Sequence, residues 1–170
     1  MAESLDYIDE NENIIGTASF HDVHEKGLLH KYVHGLLLDD ANRIALQLRG
    51  PGNRTDPYTF DATVGGHVDA GEDYQTSLLR EAEEEIGLTL TPHDITLVGR
   101  IESRSLPVEN MVGRLYILRH PGPMKLDPDE VLRIEWMSIE ECAALLQRFP
   151  YLFCRNFISS FQLLQEWLKR

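Results

Sequence analysis

The sequence lacks several features that would define other classes of protein. Its 170 residues include only two cysteines, Cys142 and Cys154, which form neither a CxxC pair nor a Cys/His cluster. We expect free, partly buried thiols. No apolar run approaches the ~20 residues of a membrane-spanning helix, and the N-terminus lacks the basic flank and apolar stretch of a secretory signal. We therefore expect a cytoplasmic protein that does not insert into a membrane.

The sequence also lacks an excess of positive charge. Its formal net charge is −12, whereas binding to nucleic acid requires a basic surface. We therefore expect no nucleic acid polymer as a partner. An acidic field also repels small anionic substrates. A phosphorylated substrate would need local arginines and a bound divalent cation to overcome that field.

The pattern of apolar residues predicts one compact α/β unit. Strand-like runs on either side of residues 11–13 indicate an N-terminal hairpin, and residues 31–38 and 43–48 indicate a second hairpin. An extended stretch over 59–68 precedes a helix over 73–86. Strands over 96–103, 111–118 and 133–137 lead to helices over 139–148 and 155–168, the first with a capping box at Ser138 and Glu141. This order predicts a sheet between layers of helices.

The helix over 73–86 carries an unusual set of acidic residues. Glu81, Glu84 and Glu85 stand at positions i, i+3 and i+4 and therefore share one face. Carboxylates that close together repel one another unless a cation lies between them, and magnesium prefers oxygen ligands. The alternative is an ordinary solvated helix face, which is what most charge runs are. The glycine-rich loop before the helix favours the metal site.

That loop supplies the other residues of the pattern. Gly66 lies where the backbone can approach a ligand closely, so its main-chain oxygen can add to the carboxylate ligands. Arg80 is expected to pair with Glu72 and to orient the glutamates, although a purely surface ion pair contributes only about 1 kcal/mol or less. Leu78, Ala82 and their apolar neighbours lie on another face and are expected to anchor the helix to the sheet.

The segment Gly66 to Leu88 resembles the signature of the Nudix hydrolases, and all its fixed glycine, glutamate and arginine positions match. The resemblance implies a Nudix-type α/β/α sandwich with a mixed central sheet and the acidic helix packed on it. It implies a single domain over 1–170, with a hairpin and lead-in over 1–28, the Nudix box over 66–88 and C-terminal helices over 138–170. It implies hydrolysis of a diphosphate linkage in a small phosphorylated metabolite, such as a nucleotide or nucleoside diphosphate derivative.

The same resemblance implies roles for particular residues. The metal ligands are Glu81, Glu84, Glu85 and Gly66, and the cation is Mg²⁺, with Mn²⁺ as the alternative. The catalytic set is completed by Arg80 and Glu72, and which glutamate activates the water stays open. The expected substrate-binding residues are Arg49, Arg54, His67 and Glu109. The expected partner is the small-molecule diphosphate substrate, and a homodimer is an open alternative to a monomer.

Outside the box, residues 27–30, 65–68 and 108–110, the last of them Val108-Glu109-Asn110, resemble the Nudix branch of isopentenyl diphosphate isomerase. That branch implies histidine ligands at His30 and His67, with His24 one residue out of step. Gly65, however, stands where the isomerase has its catalytic cysteine, and Met111 stands where it has a glutamate. Hydrolysis is therefore preferred. An isomerase-like enzyme and a non-catalytic ligand-binding domain are the alternatives.

Overall fold

The computed structural model describes residues 4–105, 109–119 and 122–170, so that Val108 lies outside the described part. Nine strands and four α-helices are present in these residues. In chain order they are β1 (Ser4–Ile8), β2 (Ile14–Ser19), α1 (Phe20–Glu25), β3 (His30–Leu38), β4 (Ile44–Arg49), β5 (Phe60–Asp61), β6 (Val64–His67), α2 (Tyr74–Ile86), β7 (Ile95–Ser105), β8 (Glu109–Leu118), β9 (Val131–Met137), α3 (Ile139–Arg148) and α4 (Arg155–Trp167). A short 3₁₀ helix, Pro150–Leu152, joins α3 to α4.

The strand β3 organises the mixed sheet. It pairs in parallel with β8 along most of its length, from His30 opposite Met111 to Leu37 opposite Leu118. Its other partners, β1, β4 and β6, are antiparallel. The pair β7–β8 extends the sheet on one side, and β9 and β5 pair with β4 on the other. The predicted mixed central sheet is confirmed.

Helices cover both faces of this sheet because side chains of β3 alternate between them. Val33 and Leu37 pack in the cluster that contains the buried face of α2. Tyr32 and Leu36 pack in a second cluster that contains the aromatic residues of α4. The predicted α/β fold is thus confirmed, with the acidic helix on one face and the C-terminal helices on the other.

The local signals in the sequence correspond to the observed ends of the helices. Asp73 caps α2 by accepting a hydrogen bond from the Thr76 amide (2.7 Å), and Gly87 ends the helix in the left-handed conformation. The predicted capping box of Ser138 and Glu141 is present at the start of α3. The lead-in before residue 28 contains the helix α1, which is too short to show an apolar period in the sequence.

Two further expectations concern single features. Cys142 and Cys154 are free, as predicted, and they are fully rather than partly buried. Within the described residues, no helix combines the length and the apolar character that crossing a membrane requires.

Candidate active site

The acidic residues lie in the second half of α2, where Glu81 and Glu85 contact the glycines of β6. Gly66 lies so close to Glu81 that a Cβ atom at this position would collide with the Glu81 carboxylate. Glycine at this position therefore leaves room for the Glu81 side chain beside β6, and a larger residue would displace that carboxylate. Because Gly66 pairs with Val33 on the central strand, this contact sets the position of Glu81 relative to the sheet.

Arg80 connects the loop to the acidic residues of α2. Its guanidinium donates to Glu72 (3.2 Å), Glu81 (2.8 Å) and Glu84 (3.1 Å). A further bond reaches the main-chain oxygen of His67 (3.2 Å). The predicted contact between Arg80 and Glu72 is therefore present. A planar group with several donors in a fixed geometry holds these partners in place better than a point charge can.

Glu85 is buried, and Glu81, whose side chain is 13% exposed, is the second most enclosed member of the acidic set. Burial raises the pKa of Glu81 to about 7, against the opposing effect of Arg80. Burial and the charge of Glu81 raise the pKa of Glu85 well above its ordinary value. The Glu85 carboxylate accepts hydrogen bonds from the Gly65 amide (3.0 Å) and the Gln47 side chain (3.4 Å). These neutral donors orient Glu85 but do not neutralise its charge.

Glu84 and Glu130 complete the acidic surroundings. The Glu84 side chain is 58% exposed and is held by Arg80, so it lies nearer to solvent than its two neighbours. The charge of Glu130 raises the pKa of both Glu81 and Glu85. Glu130 is absent from the residues predicted to form the site. Its signal in the sequence is the acidic run over 127–130, which lies far from the box along the chain.

The acidic residues line a cavity of about 570 Å³, a volume that suits a small-molecule ligand. Arg49, Arg54, His67 and Glu109 also line it. The predicted substrate-binding residues are thus brought to one cavity with Glu81, Glu84 and Glu85. Their roles in binding stay predictions.

The two arginines differ in their surroundings. Arg49 donates to the buried carboxylate of Asp61 (2.8 Å) and to the main-chain oxygen of Thr55 (3.2 Å). These contacts leave it as a fixed positive charge rather than a mobile clamp. The Arg54 guanidinium lies over the Phe20 ring at 4.2 Å from the ring centroid. Arg54 therefore reaches the cavity beside α1.

A second group of possible metal ligands is formed by His24, His30 and His67. One ring nitrogen of each lies within 4.8 Å of those of the other two. The Nδ1 atoms of His24 and His30 face the carbonyl oxygens of Phe20 (2.8 Å) and Leu28 (2.9 Å). Since only a protonated nitrogen donates to a carbonyl, the Nε2 atom of a neutral ring in this position keeps its lone pair.

Burial keeps two of these imidazoles neutral. It lowers the pKa of His30 to about 4, and burial together with the neighbouring histidines lowers the pKa of His67 well below its ordinary value. The Nε2 atoms of both rings are buried and have no hydrogen-bond partner within the described residues. Neutral imidazoles with unpaired nitrogens fit a cation that accepts nitrogen ligands.

The carboxylate cluster fits a different kind of cation. Oxygen ligands from Glu81, Glu84 and Glu85, with the main chain at Gly66 beside them, suit a hard divalent ion such as Mg²⁺. The cluster and the arginines face the same cavity. The arrangement can therefore hold a phosphorylated ligand between a metal site and fixed positive charge.

Residues 28–155 match the family description "NUDIX domain". The chain belongs to the Nudix family. An uncharacterized Nudix hydrolase of Yersinia pestis is 31% identical over 168 residues, covering 99% of this chain and 87% of that protein. The chain is accordingly a hydrolase that acts on pyrophosphate bonds. Nudix hydrolases generally use a divalent metal such as Mg²⁺.

Solved structures are similar in fold. A Deinococcus radiodurans protein has a TM-score of 0.75 and 21% identity, with 96% of this chain and 98% of that chain covered. The Nudix domain of Shewanella oneidensis NrtR, which was crystallised with ADP ribose, has a TM-score of 0.60 and 17% identity, with 81% and 87% covered.

Proposed function

We propose that this protein hydrolyses the diphosphate linkage of a small phosphorylated metabolite, such as a nucleotide or nucleoside diphosphate derivative. One observation carries the proposal. Glu81 and Glu85 lie beside each other on the cavity wall, Glu85 buried and the Glu81 side chain 13% exposed, and the charge of Glu81 raises the pKa of Glu85. Such a pair destabilises the fold unless a cation compensates for it.

Glu81, Glu84 and Glu85, with the Gly66 carbonyl, are the residues that would hold Mg²⁺, and Mn²⁺ is the alternative. The bound cation supplies neutralisation of phosphate charge and makes a bound water more acidic. Arg80 and Glu72 orient the glutamates from the loop side. One of the three glutamates accepts the proton of the attacking water, and variants at each position distinguish them.

The remaining cavity residues bind the substrate. Arg54 and Arg49 bring positive charge to the phosphates and offset the acidic surroundings. His67 and Glu109 contribute to the wall of the same cavity. The substrate itself is not identified by the fold, because one fold serves many substrates.

A screen of diphosphates with Mg²⁺ tests this function. Nucleoside diphosphates, nucleotide sugars and ADP-ribose are the first candidates, the last because the similar NrtR domain was crystallised with it. Mass spectrometry of the products should show cleavage of a diphosphate bond, abolished by chelation and by Glu85→Gln. Absence of metal-dependent cleavage across the panel would overturn the proposal and favour a ligand-binding domain.

Isomerisation is disfavoured by the surroundings of Gly65. A Cβ atom there would lie 2.8 Å from the His34 ring, so the position that the isomerase uses for its cysteine has little room for a side chain. Met111 is buried and has no ionisable group that could donate or accept a proton. The intact acidic set, in turn, disfavours a purely non-catalytic domain. These observations support hydrolysis over both alternatives.

The histidine cluster supports a second metal position. Its unpaired ring nitrogens suit Zn²⁺ or another nitrogen-binding cation. Titration of the metal-free protein with Zn²⁺ should show a site that His67→Asn removes and Glu84→Gln leaves in place. Zinc binding that is insensitive to His67→Asn would show that the histidine cluster is not the zinc site.

A homodimer remains a prediction. Light scattering of the purified protein tests it.

A further inference from the structure

Arg49 and Asp61 form an ion pair in the wall of the cavity. Arg49 Nη1 lies 2.8 Å from Asp61 Oδ2, and the two side chains are 13% and 2% exposed. Both residues line the cavity. A carboxylate at this position is unexpected, because it lowers the positive charge that a phosphorylated ligand meets. The charge of the cavity therefore does not explain Asp61.

The stability of the fold does not explain the ion pair either. Removal of two charges from water offsets much of their attraction, so apolar residues of similar size often stabilise a fold as well as a buried ion pair does. The strand β5 that carries Asp61 has only two residues, and its backbone pairs with β4, with Asp61 opposite Gln47. This pairing does not require a carboxylate. A role for Asp61 in the cavity is the better explanation.

The local backbone fixes the Asp61 carboxylate. Its Oδ1 accepts a hydrogen bond from the Ala62 amide (2.8 Å), and its Oδ2 accepts from Arg49. His34 Nε2 lies 3.8 Å from Oδ1, but burial lowers the pKa of His34, so this ring is neutral. The charged partner of Asp61 is therefore Arg49.

Two contacts hold the Arg49 guanidinium. Its Nη1 donates to Asp61, and its Nη2 donates to the main-chain oxygen of Thr55 (3.2 Å). Each of these nitrogens carries two hydrogens, so one on each remains for a ligand. The guanidinium is planar, and its donors keep a fixed geometry once the group is held. Such donors are suited to the oxygens of a phosphate.

An arginine that is held in place binds a ligand more tightly than a mobile one. A mobile side chain loses rotamer freedom when the ligand binds, which weakens affinity by about 2–10-fold. Asp61 and Thr55 restrict Arg49 before any ligand arrives. The gain in preorganisation opposes the repulsion between the Asp61 carboxylate and a phosphate.

We propose that Asp61 is the positioning residue of Arg49 and holds its guanidinium so that the remaining donors bind a phosphate of the substrate. The proposal rests on the proposed function, which assigns Arg49 to the phosphates. Asp61 acts through Arg49 and not on the reacting atoms. Its effect should therefore appear in substrate affinity, and it should disappear when Arg49 is replaced.

Calorimetric titration with methylenediphosphonate and Mg²⁺ measures this affinity without turnover. Asp61→Asn should weaken binding by about 2–10-fold, whereas loss of a negative charge by itself would tighten it. Asp61→Glu keeps the charge but moves the carboxylate by one methylene group. It should weaken binding as well, whereas an effect of charge alone predicts no change. The control is Asp56→Asn, because Asp56 lies in the same loop, contacts Arg155 (3.5 Å) and does not line the cavity. It should bind no more weakly than the wild type.

Replacement of Arg49 separates positioning from a structural role. In the Arg49→Gln background, Asp61→Asn should cause no further loss of affinity, because no guanidinium remains to be held. This double variant contains neither charge of the pair, so it tests the proposal even where Asp61→Asn alone does not fold. The Tm of every variant is measured, since a purely structural role lowers Tm and leaves the affinity of the folded protein unchanged.

Three results would overturn the proposal. They are wild-type or tighter binding by either folded Asp61 variant, a further loss of affinity in the Arg49→Gln background, and absence of binding by the wild-type protein.

The outcome is separable from the proposed function. Weaker binding by Asp61→Asn in a protein that cleaves no diphosphate would refute the hydrolase assignment of the cavity and leave the positioning role standing. In an active protein, Asp61→Asn should raise KM by more than it lowers kcat, because a held arginine acts on binding. Diphosphate cleavage with an unchanged KM in Asp61→Asn would refute the positioning role and leave hydrolysis standing.

Discussion

Replacement of Glu85 by glutamine separates the chemical role of this residue from its structural role. Its carboxylate accepts from the Gly65 amide and from Gln47. In Glu85→Gln, the new amide oxygen can still accept from Gly65. Its NH₂ group can donate to Gln47 Oε1, which is buried and has no partner in the described residues, after rotation of the Gln47 amide. We therefore expect the variant to fold.

The metal-free variant should be more stable than the wild type. Burial raises the pKa of Glu85, so this carboxyl destabilises the folded state increasingly as the pH rises from the unfolded pKa towards the folded pKa. Glutamine carries no charge and removes this cost, so the free energy of unfolding of the metal-free protein should increase. For a domain of this size, each kcal/mol raises Tm by about 2–4 °C.

Turnover should change in the opposite direction. Loss of a charged metal ligand should lower kcat by about 10³-fold, equivalent to about 4 kcal/mol. The rise in Tm caused by Mg²⁺ should shrink as well, because that rise measures metal binding. Glu83→Gln is the matched control, since Glu83 is exposed on the same helix and does not line the cavity. Near wild-type turnover in Glu85→Gln, or a lower Tm without metal, would refute this reasoning.

Three other predictions address the loop and the reaction type. Gly66→Ala places a Cβ atom against the Glu81 carboxylate, so kcat should fall at least about tenfold; unchanged kcat would contradict the close approach. Arg80→Lys cannot maintain the contacts with Glu72 and Glu81, and kcat should fall about 10–100-fold, whereas Arg133→Lys on the exposed face of β9 should have no effect. Incubation with isopentenyl diphosphate and Mg²⁺ should yield no dimethylallyl diphosphate, and its formation at an enzymatic rate would reverse the assignment.

The acidic helix is predictable from the sequence because its signals are local. Asp73 and Gly87 mark its ends, and the spacing of Glu81, Glu84 and Glu85 places them on one face. The contact of Arg80 with the loop follows from the same short segment. The spacing does not predict how the glutamates differ in burial. Glu84 is exposed to solvent, whereas Glu85 is enclosed.

The rest of the cavity depends on contacts between distant parts of the chain. The bond of Ser160 to His34 spans 126 residues, so the approach of α4 to the sheet leaves no local pattern. The position of Asn156 on the cavity wall depends on that approach, because Asn156 lies in α4. His24 stands one residue out of step with the isomerase pattern, and α1 brings its ring to those of His30 and His67. A helix of six residues is too short for the hydrophobic periodicity of the sequence to predict it.

The central claim is that the acidic face of α2 binds the metal required for hydrolysis. The most direct test locates the bound metal and measures turnover in the same variants. Crystals grown with Mn²⁺ and examined by anomalous scattering should show a peak bounded by Glu81, Glu85 and the Gly66 carbonyl. The peak should be lost in Glu85→Gln together with diphosphate hydrolysis. An active protein whose only manganese peak lies at the histidine cluster, or away from both clusters, would contradict the assignment of hydrolysis to the acidic face of α2.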